Sequence, residues 1–487
     1  MATLKENTAN GLFWGLLNGS STQLLNLAIG IVLARLLTQA DYGMLGMLTI
    51  FSGIAGTFND SGLSVALVNK KDATAEDYDS VFAFNIVVSV VLYAILFFCA
   101  PLIAEFFHEP ALCDLSRFVF LSIIFSAAGI VPGVILKKRL MVRERTIISF
   151  VALILSGIVG IVLALRGFTY WSLAWQNFIY CTATPLGCFF FARWHPTSHF
   201  SLRPIREMFG FSSKMLITSI LNILNSNLLS VVFGRIYNAT AVGTFNQANK
   251  WNMMAASNIT TMVTQVAQPV FVDVREEGER RVRVFRKMLR FTAFLAFPAM
   301  FGLALVANEF ITITISDKWA ASALLLQILC VGGAFFCFHS LYQNLLISLG
   351  KSNVYMWLNI LQIVLNIVVV LAFRPLGLTA MVIAFSACYV VLLAAWQGVA
   401  RKYIGLKWTD CLRDILPFAA VSAATMIATY YLTLPIHNVY ALLIARIAIA
   451  AALYYGAMRL LNVVIFKECL NFLKEKVFRK KQTLSRP

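Results

Sequence analysis

Carboxylates are scarce in this chain: 22 Asp and Glu stand against 40 Lys and Arg in 487 residues, and charged residues of both signs make up only 13%. So little charge, beside 60% hydrophobic residues and a mean hydropathy of +0.78, excludes a large soluble protein and indicates a polytopic membrane protein. Long polar stretches are missing as well, so no loop can hold a soluble domain. No GxxxxGK[ST] loop occurs, which removes the common route to nucleotide binding. Histidine is rare; of the five, only His195 and His199 are close, and Pro196 breaks the helix that would pair them as metal ligands. The nine cysteines form no CxxC pair and lie mostly inside apolar runs, where they read as small buried hydrophobes. No metal or cofactor is expected. A cleavable signal peptide is not evident either, because the first apolar run is too long and leads straight into the second.

What is present is a series of apolar runs of about 20 residues or more, each long enough to cross a bilayer. They fall near 12–36, 43–68, 81–106, 115–136, 147–166, 170–192, 208–234, 241–272, 288–315, 320–350, 352–373, 377–400, 412–433 and 439–463, fourteen spans in all. The net charge of +18 would suit nucleic acid in a soluble protein, but here the cations sit in alternate short loops. Placing the N-terminus in the cytoplasm puts about thirty of the 40 Lys and Arg on that side, so both termini are expected there. Spans 1 and 7 then share one orientation, which makes the halves a parallel repeat. The expected fold is an all-α polytopic membrane protein with fourteen transmembrane helices: two six-helix lobes in parallel repeat plus two C-terminal helices. Its divisions are 1–206 for spans 1–6, 207–403 for spans 7–12, 404–466 for spans 13–14, and a basic cytoplasmic tail at 467–487. The segment from Asp273 to Arg290 and the tail from Phe466 to Lys481 read as basic amphipathic helices on the inner membrane surface, with Val282, Phe285, Met288 and Leu289 as lipid contacts of the first.

Four spans carry polar stripes. Asn18, Thr22 and Asn26 share one face of span 1; Thr49, Ser52, Gly53, Gly56, Asp60 and Ser64 share one face of span 2. About 200 residues later the pattern returns, with Arg235 and Gly243 spaced like Arg35 and Gly43. Lys214, Thr218, Asn222 and Ser226 form a ladder on span 7 with Asn225 beside it, and span 8 carries Asn246, Asn249, Lys250, Ser257, Thr260, Thr261, Thr264 and Gln268 on about a third of its circumference. Hydrocarbon offers such groups no partner, so these faces should turn toward a shared polar interior.

A Lys at bilayer depth costs about 2.5 to 3.5 kcal/mol, which calls for a partner or a purpose. Lys250 lies about 13 Å inside its span, close to the midplane, and is the candidate cavity cation; Lys214 is shallower. Arg446 and the helix-end Arg35 and Arg235 can snorkel to the headgroups. Asp60 is the best-placed carboxylate and the candidate coupling-ion residue. An interior with fixed cations and few carboxylates suits an anionic guest. A cation-coupled drug or metabolite antiporter would want the reverse charge, and a membrane enzyme or assembly scaffold is disfavoured by the short outer loops.

The segment from Leu33 through Thr38-Gln39-Ala40-Asp41-Tyr42-Gly43, then Phe58-Asn59-Asp60-Ser61-Gly62-Leu63-Ser64 through Lys70-Lys71, and Tyr170-Trp171-Ser172-Leu173, resembles the polysaccharide transporters of the multidrug/oligosaccharidyl-lipid/polysaccharide exporter superfamily, most closely their Wzx-like, colanic-acid-exporter-like branch. The resemblance runs over the first twelve spans. It implies a flippase of the bacterial inner membrane that carries undecaprenyl-diphosphate-linked oligosaccharide outward by alternating access, with spans 1, 2, 7 and 8 lining a cavity between two lobes. Lys250 and Lys214 would then hold the diphosphate, and Asn18, Asn26, Asn222, Asn225, Asn246 and Asn249 the sugars. A lipid II flippase of that superfamily also has two extra C-terminal helices thought to hold the polyprenyl tail, although this chain lacks its arginine cluster in the first span. Membrane lipids and the lipid-linked oligosaccharide are the expected partners, with polysaccharide polymerase machinery a further candidate.

Overall fold

The computed structural model describes residues 22–60, 62–70, 72–197, 201–274, 277–468 and 471. Among them every regular element is helical. In chain order these are α1 (Thr22–Leu36), α2 (Gln39–Asp60), α3 (Leu63–Asn69), α4 (Ala75–Phe107), α5 (Leu112–Ala128), α6 (Ile130–Lys138), α7 (Val142–Leu165) and α8 (Thr169–Ala192). There follow α9 (Arg203–Ile236), α10 (Ala239–Asp273), α11 (Gly278–Thr314), α12 (Ala320–Ser348), α13 (Ser352–Ala372), α14 (Leu378–Ile404), α15 (Trp408–Thr433) and α16 (Val439–Leu460). Among the described residues ten helical segments are long and apolar enough to cross a membrane. The others of 22 residues or more are α2, α8 and α10, whose polar residues dilute their hydropathy.

Local chemistry sets several boundaries. Thr38 and Asp41 form a reciprocal cap at the start of α2, the Thr38 backbone N–H donating to Asp41 Oδ2 at 2.8 Å and the Asp41 N–H to Thr38 Oγ1 at 3.3 Å. Asn238 does the same work for α10, accepting from the Ala241 N–H at 2.9 Å. Thr74 and Asp77 box the start of α4, and Asp77 also takes Lys70 Nζ at 2.8 Å. The run expected as one span at 43–68 is divided, since α2 ends at Asp60 and α3 begins after Gly62, whose φ of 68° suits a residue without Cβ.

The chain forms two compact units, Met1–Asn246 and Gln247–Pro487. Unit 1 has one apolar cluster where Ile29 and Leu33 of α1 meet Leu153 of α7 and Leu173 of α8. A second joins Leu63 and Leu67 of α3 to Val81, Val134 and Ile148. Unit 2 is built around α11 and α12, with Phe297, Trp319, Phe338 and Tyr342 fully buried.

In unit 2, α11 is tied to α15 and α16 by ion pairs near both of its ends. Toward its start, Arg286 grips Asp414 of α15 through two bonds, Nε to Oδ2 at 2.7 Å and Nη2 to Oδ1 at 3.2 Å, and also reaches Asp410 at 3.2 Å. Toward its other end, Glu309 receives Nη1 of Arg446 from α16 at 2.7 Å, and both residues are buried, at 5% and 8% exposure. The same guanidinium donates to the Leu305 carbonyl at 3.1 Å and to Thr433 Oγ1 at 3.3 Å, and lies over the Tyr430 ring.

Two expectations are corrected here. Arg446 does not snorkel to the headgroups: a buried carboxylate within reach satisfies it inside the protein. Residues 278–290 are not a separate surface helix but the opening turns of α11, and Phe285 and Leu289 are buried. Phe285 packs on Phe271 and Tyr342, with ring centroids 5.7 and 5.1 Å away. The amphipathic pattern was real, and its apolar side faces protein. The tail positions Leu470 and 472–481 lie outside the described residues.

Removing one partner of a buried pair strands the other charge. Glu309→Ala is therefore expected to destabilise unit 2 by about 3 to 5 kcal/mol. Replacing both, as Glu309→Leu with Arg446→Met, should recover most of that loss. Thermal unfolding of the purified protein in one detergent checks this, and equal melting temperatures for wild type and Glu309→Ala would refute it.

Candidate functional site

Unit 1 brings the repeated motif into contact with itself. A Cβ on Gly43 would overlap the Ala239 carbonyl, and one on Gly243 would overlap the Gln39 carbonyl and stand 3.0 Å from the Gly43 nitrogen. Positions 39 and 43 of α2 thus cross 239 and 243 of α10 reciprocally, backbone on backbone, which only glycine allows. One turn on, Gly46 sits against Val242 and the Asn246 amide. Side chains extend the seam: Thr49 Oγ1 donates to Asn227 Oδ1 at 2.9 Å, and Ser230 Oγ to Asn246 Oδ1 at 2.6 Å.

The predicted residues of unit 1 fall in different settings. Asn26 of α1 and Asn222 of α9 are exposed, Asn225 is half-buried, and Asn246 is a bridge between α9 and α10. Asn18 lies outside the described residues, as do the side chains of Asp60 and Lys214, although their backbones belong to α2 and α9. Asn227 and Ser230, which make the interhelical bonds, were not singled out from sequence. Their spacing from Ser226 and Asn222 on one polar helix was the available signal.

In unit 2, α10 has two unlike faces. Trp251 packs edge-on against Phe310 at 4.8 Å, Asn252 lies against Gly333 of α12, and Thr264 bonds Ser340 and Asn344 at 3.2 and 3.3 Å. The other face exposes Lys250, Ser257, Asn258, Thr261 and Gln265, which recur at helical spacing. Among the described residues Lys250 has neither an ion pair nor a hydrogen-bond partner, and Asn249 beside it is half-buried. This is a polar, cationic face on a helix whose opposite side is firmly packed.

Each unit also contains a cavity, and the two differ in chemistry. The cavity of unit 1, about 530 Å³, lies among α2, α5, α6, α7 and α8. Ser52, Gly56 and Asn59 reach it from α2, Ser122 and Ser126 from α5, and Asn177, Cys181, Thr184 and Cys188 from α8, with Lys137 and Arg145 at one end. The cavity of unit 2, about 630 Å³, is an apolar groove between α11 and α15–α16, lined by Pro298, Gly302, Leu303, Met426, Ile447 and Tyr454 among others. It lies between the two ion-paired ends of α11. Among the described residues no group of three His, Cys, Asp or Glu could hold a metal ion.

The long apolar helices, some with polar faces, in two compact helical units define an all-helical polytopic membrane protein. Among solved structures the chain resembles the lipid II flippase MurJ in an inward closed conformation, with a TM-score of 0.75 and 15% identity over 96% of this chain and all of that one. It also resembles an inward-facing multidrug resistance transporter of the MATE family, at a TM-score of 0.65 and 15% identity over 79% of this chain and 94% of that one. At such identity the likeness shows the fold.

The profile of the polysaccharide biosynthesis protein family matches residues 32–324, and the chain belongs to that family. It is 23% identical over 439 residues to the lipopolysaccharide biosynthesis protein WzxC of Escherichia coli K12, covering 88% of each chain. It is 24% identical over 428 residues to the succinoglycan biosynthesis transport protein ExoT of Rhizobium meliloti, covering 86% of this chain and 84% of that one. The teichuronic acid biosynthesis protein TuaB of Bacillus subtilis is 24% identical over 358 residues, 72% of this chain and 74% of its own.

Because both crossing glycines meet backbone, a side chain there must separate α2 from α10. Gly43→Val and Gly243→Val are each expected to cost about 1 to 3 kcal/mol or more. Comparison of melting temperatures with Gly456→Ala, where a Cβ meets nothing within 4 Å, tests the crossing; valine variants as stable as that control would count against it.

Proposed function

We propose that this protein is a flippase, not an enzyme, that moves undecaprenyl-diphosphate-linked oligosaccharide from the inner to the outer leaflet of the bacterial plasma membrane by alternating access. The observation that carries the reading is the exposed polar face of α10 that runs from Lys250 to Gln265, in a member of a family whose relatives include a named transport protein. A diphosphate is the part of such a cargo that an unpaired ammonium would recognise, and in a water-poor setting each charge-assisted bond is stronger than in bulk water. Lys250, with Lys214, holds the diphosphate. Asn18, Asn26, Asn222, Asn225, Asn246 and Asn249 serve the sugars, and Asp60 is the candidate for a coupling ion.

The apolar groove between α11 and α15–α16 suits the polyprenyl chain, since its lining supplies hydrocarbon contact and the ion pairs at its ends keep the helices in place. In this reading α1, α2, α8 and α10 also cross the membrane, which makes fourteen spans with both termini in the cytoplasm. The functional halves are 1–206 and 207–403, followed by 404–466 and the tail 467–487. Polysaccharide polymerase machinery is the proposed neighbour in the membrane.

Reversing the charge at Lys250 is the direct test. Lys250→Glu is expected to lower protein-dependent flipping of a lipid-linked repeat unit in liposomes by at least about tenfold, the loss of one charge-assisted bond. Lys250→Arg should keep most of the activity, and neither change should alter thermal stability, since the side chain is exposed. Exposure of the repeat unit to an outer-leaflet lectin is the readout. Full activity in Lys250→Glu would remove the clamp, and no flipping by wild type across several repeat units would remove the flippase reading.

A further inference from the structure

The cavity of unit 1 has a composition that membrane packing does not explain. Nineteen residues line it, none is a carboxylate, and eight carry a hydroxyl or a side-chain amide. Lys137 and Arg145, at one end, have no ion pair among the described residues. Along α8 the lining positions run from Asn177 through Cys181 and Thr184 to Cys188, one face of the helix over about 16 Å. A single small anion needs much less than that.

Two glycines in the wall point the same way. Gly56 of α2 and Gly133 of α6 both line the cavity, and a Cβ built on either meets nothing within 4 Å. Helix-interior glycine costs about 1 kcal/mol relative to alanine, and here no close helix contact requires it. Gly129 in the same wall is different, because Pro185 stands 2.8 Å from its built Cβ. At Gly56 and Gly133 the missing side chain serves open space. A volume of about 530 Å³ lies within the range of small-molecule sites, roughly 300 to 1,000 Å³.

We infer that the cavity of unit 1 binds an acidic saccharide, a sugar carrying a phosphate or carboxylate, with Lys137 and Arg145 on its charge and Asn59, Ser126, Asn177 and Thr184 toward its hydroxyls. The charge balance selects an anion, and the length and the hydroxyl-rich walls select a polyhydroxylated one. The site belongs to unit 1 and uses neither Lys250 nor Lys214, the groups proposed for the diphosphate, so it stands or falls separately from them.

The test is ligand-dependent thermal stabilisation of the full-length protein in detergent, because a ligand that binds only the folded state raises the melting temperature with its concentration. Glucose 1-phosphate and glucuronate are expected to stabilise wild type, and glucose at the same concentrations is not. Lys137→Gln combined with Arg145→Gln should weaken the response at least about tenfold, the loss of charge-assisted bonds. Gly133→Leu should abolish the response by filling the cavity while leaving the unliganded melting temperature unchanged or higher. Lys250→Gln should respond like wild type. No stabilisation by either acidic sugar, an equal effect of glucose, or an undiminished response in Gly133→Leu would overturn the site. Equal stabilisation by inorganic phosphate, which carries no sugar, would overturn its assignment to a saccharide.

Discussion

A hydrogen-bonding group inside a bilayer has no water to fall back on, and the arrangement of this chain follows from how each polar side chain meets that constraint. Some are satisfied within their own helix. On α15 the hydroxyls of Thr425, Thr429 and Thr433 donate to carbonyls four residues earlier at 2.7, 2.8 and 2.9 Å, so a polar ladder costs the helix no outside partner. Others are satisfied across helices, and there they become the joints of the fold. Arg286 with Asp414 and Arg446 with Glu309 bind α11 to α15 and α16 toward opposite ends of α11. Thr433 takes part in both kinds, since its oxygen also accepts from Arg446.

The repeat works through a second constraint, the distance between backbones. Helices in membranes gain little from apolar burial against each other and instead depend on close packing, which small residues permit. Gly43 and Gly243 supply it, each opposite the residue that precedes the other by one turn. Capping shows the same relation, with Thr38 at the start of α2 and Asn238 at the start of α10. The symmetry breaks at the next turn. Gly46 in the first copy stands opposite Asn246 in the second, and Asn246 is the residue that bonds Ser230. The contact is shared by the halves and the polar chemistry is not.

The two units also differ in what they leave unfilled. Unit 1 keeps a hydroxyl- and amide-lined cavity with two cations, and unit 2 keeps an apolar groove between helices held by ion pairs. The polar face of α10 adds the cation that neither cavity uses.

Much of this was legible in the residues. Hydropathy marks most of the helices because burial in hydrocarbon is a property of composition, and the stripes on α2, α9 and α10 follow from a period that any helix imposes. The spacing of Arg35 and Gly43 against Arg235 and Gly243 disclosed the repeat. Partnership was not legible: Arg446 read as a snorkelling cation because nothing within α16 announces a carboxylate on α11, 137 residues earlier. Likewise Phe285 and Leu289 form an amphipathic stripe whether lipid or protein covers it. Asn59, Ser126, Asn177 and Thr184 are unremarkable one by one, and only the packing of α2, α5 and α8 turns them toward one space. Sequence alone determined the membrane class, the family and which helices carry polar faces, because these are written in periodicity, composition and motif. Tertiary structure alone decided which charges are paired, which glycines are crossed and where the cavities lie, because each depends on residues brought together from distant parts of the chain.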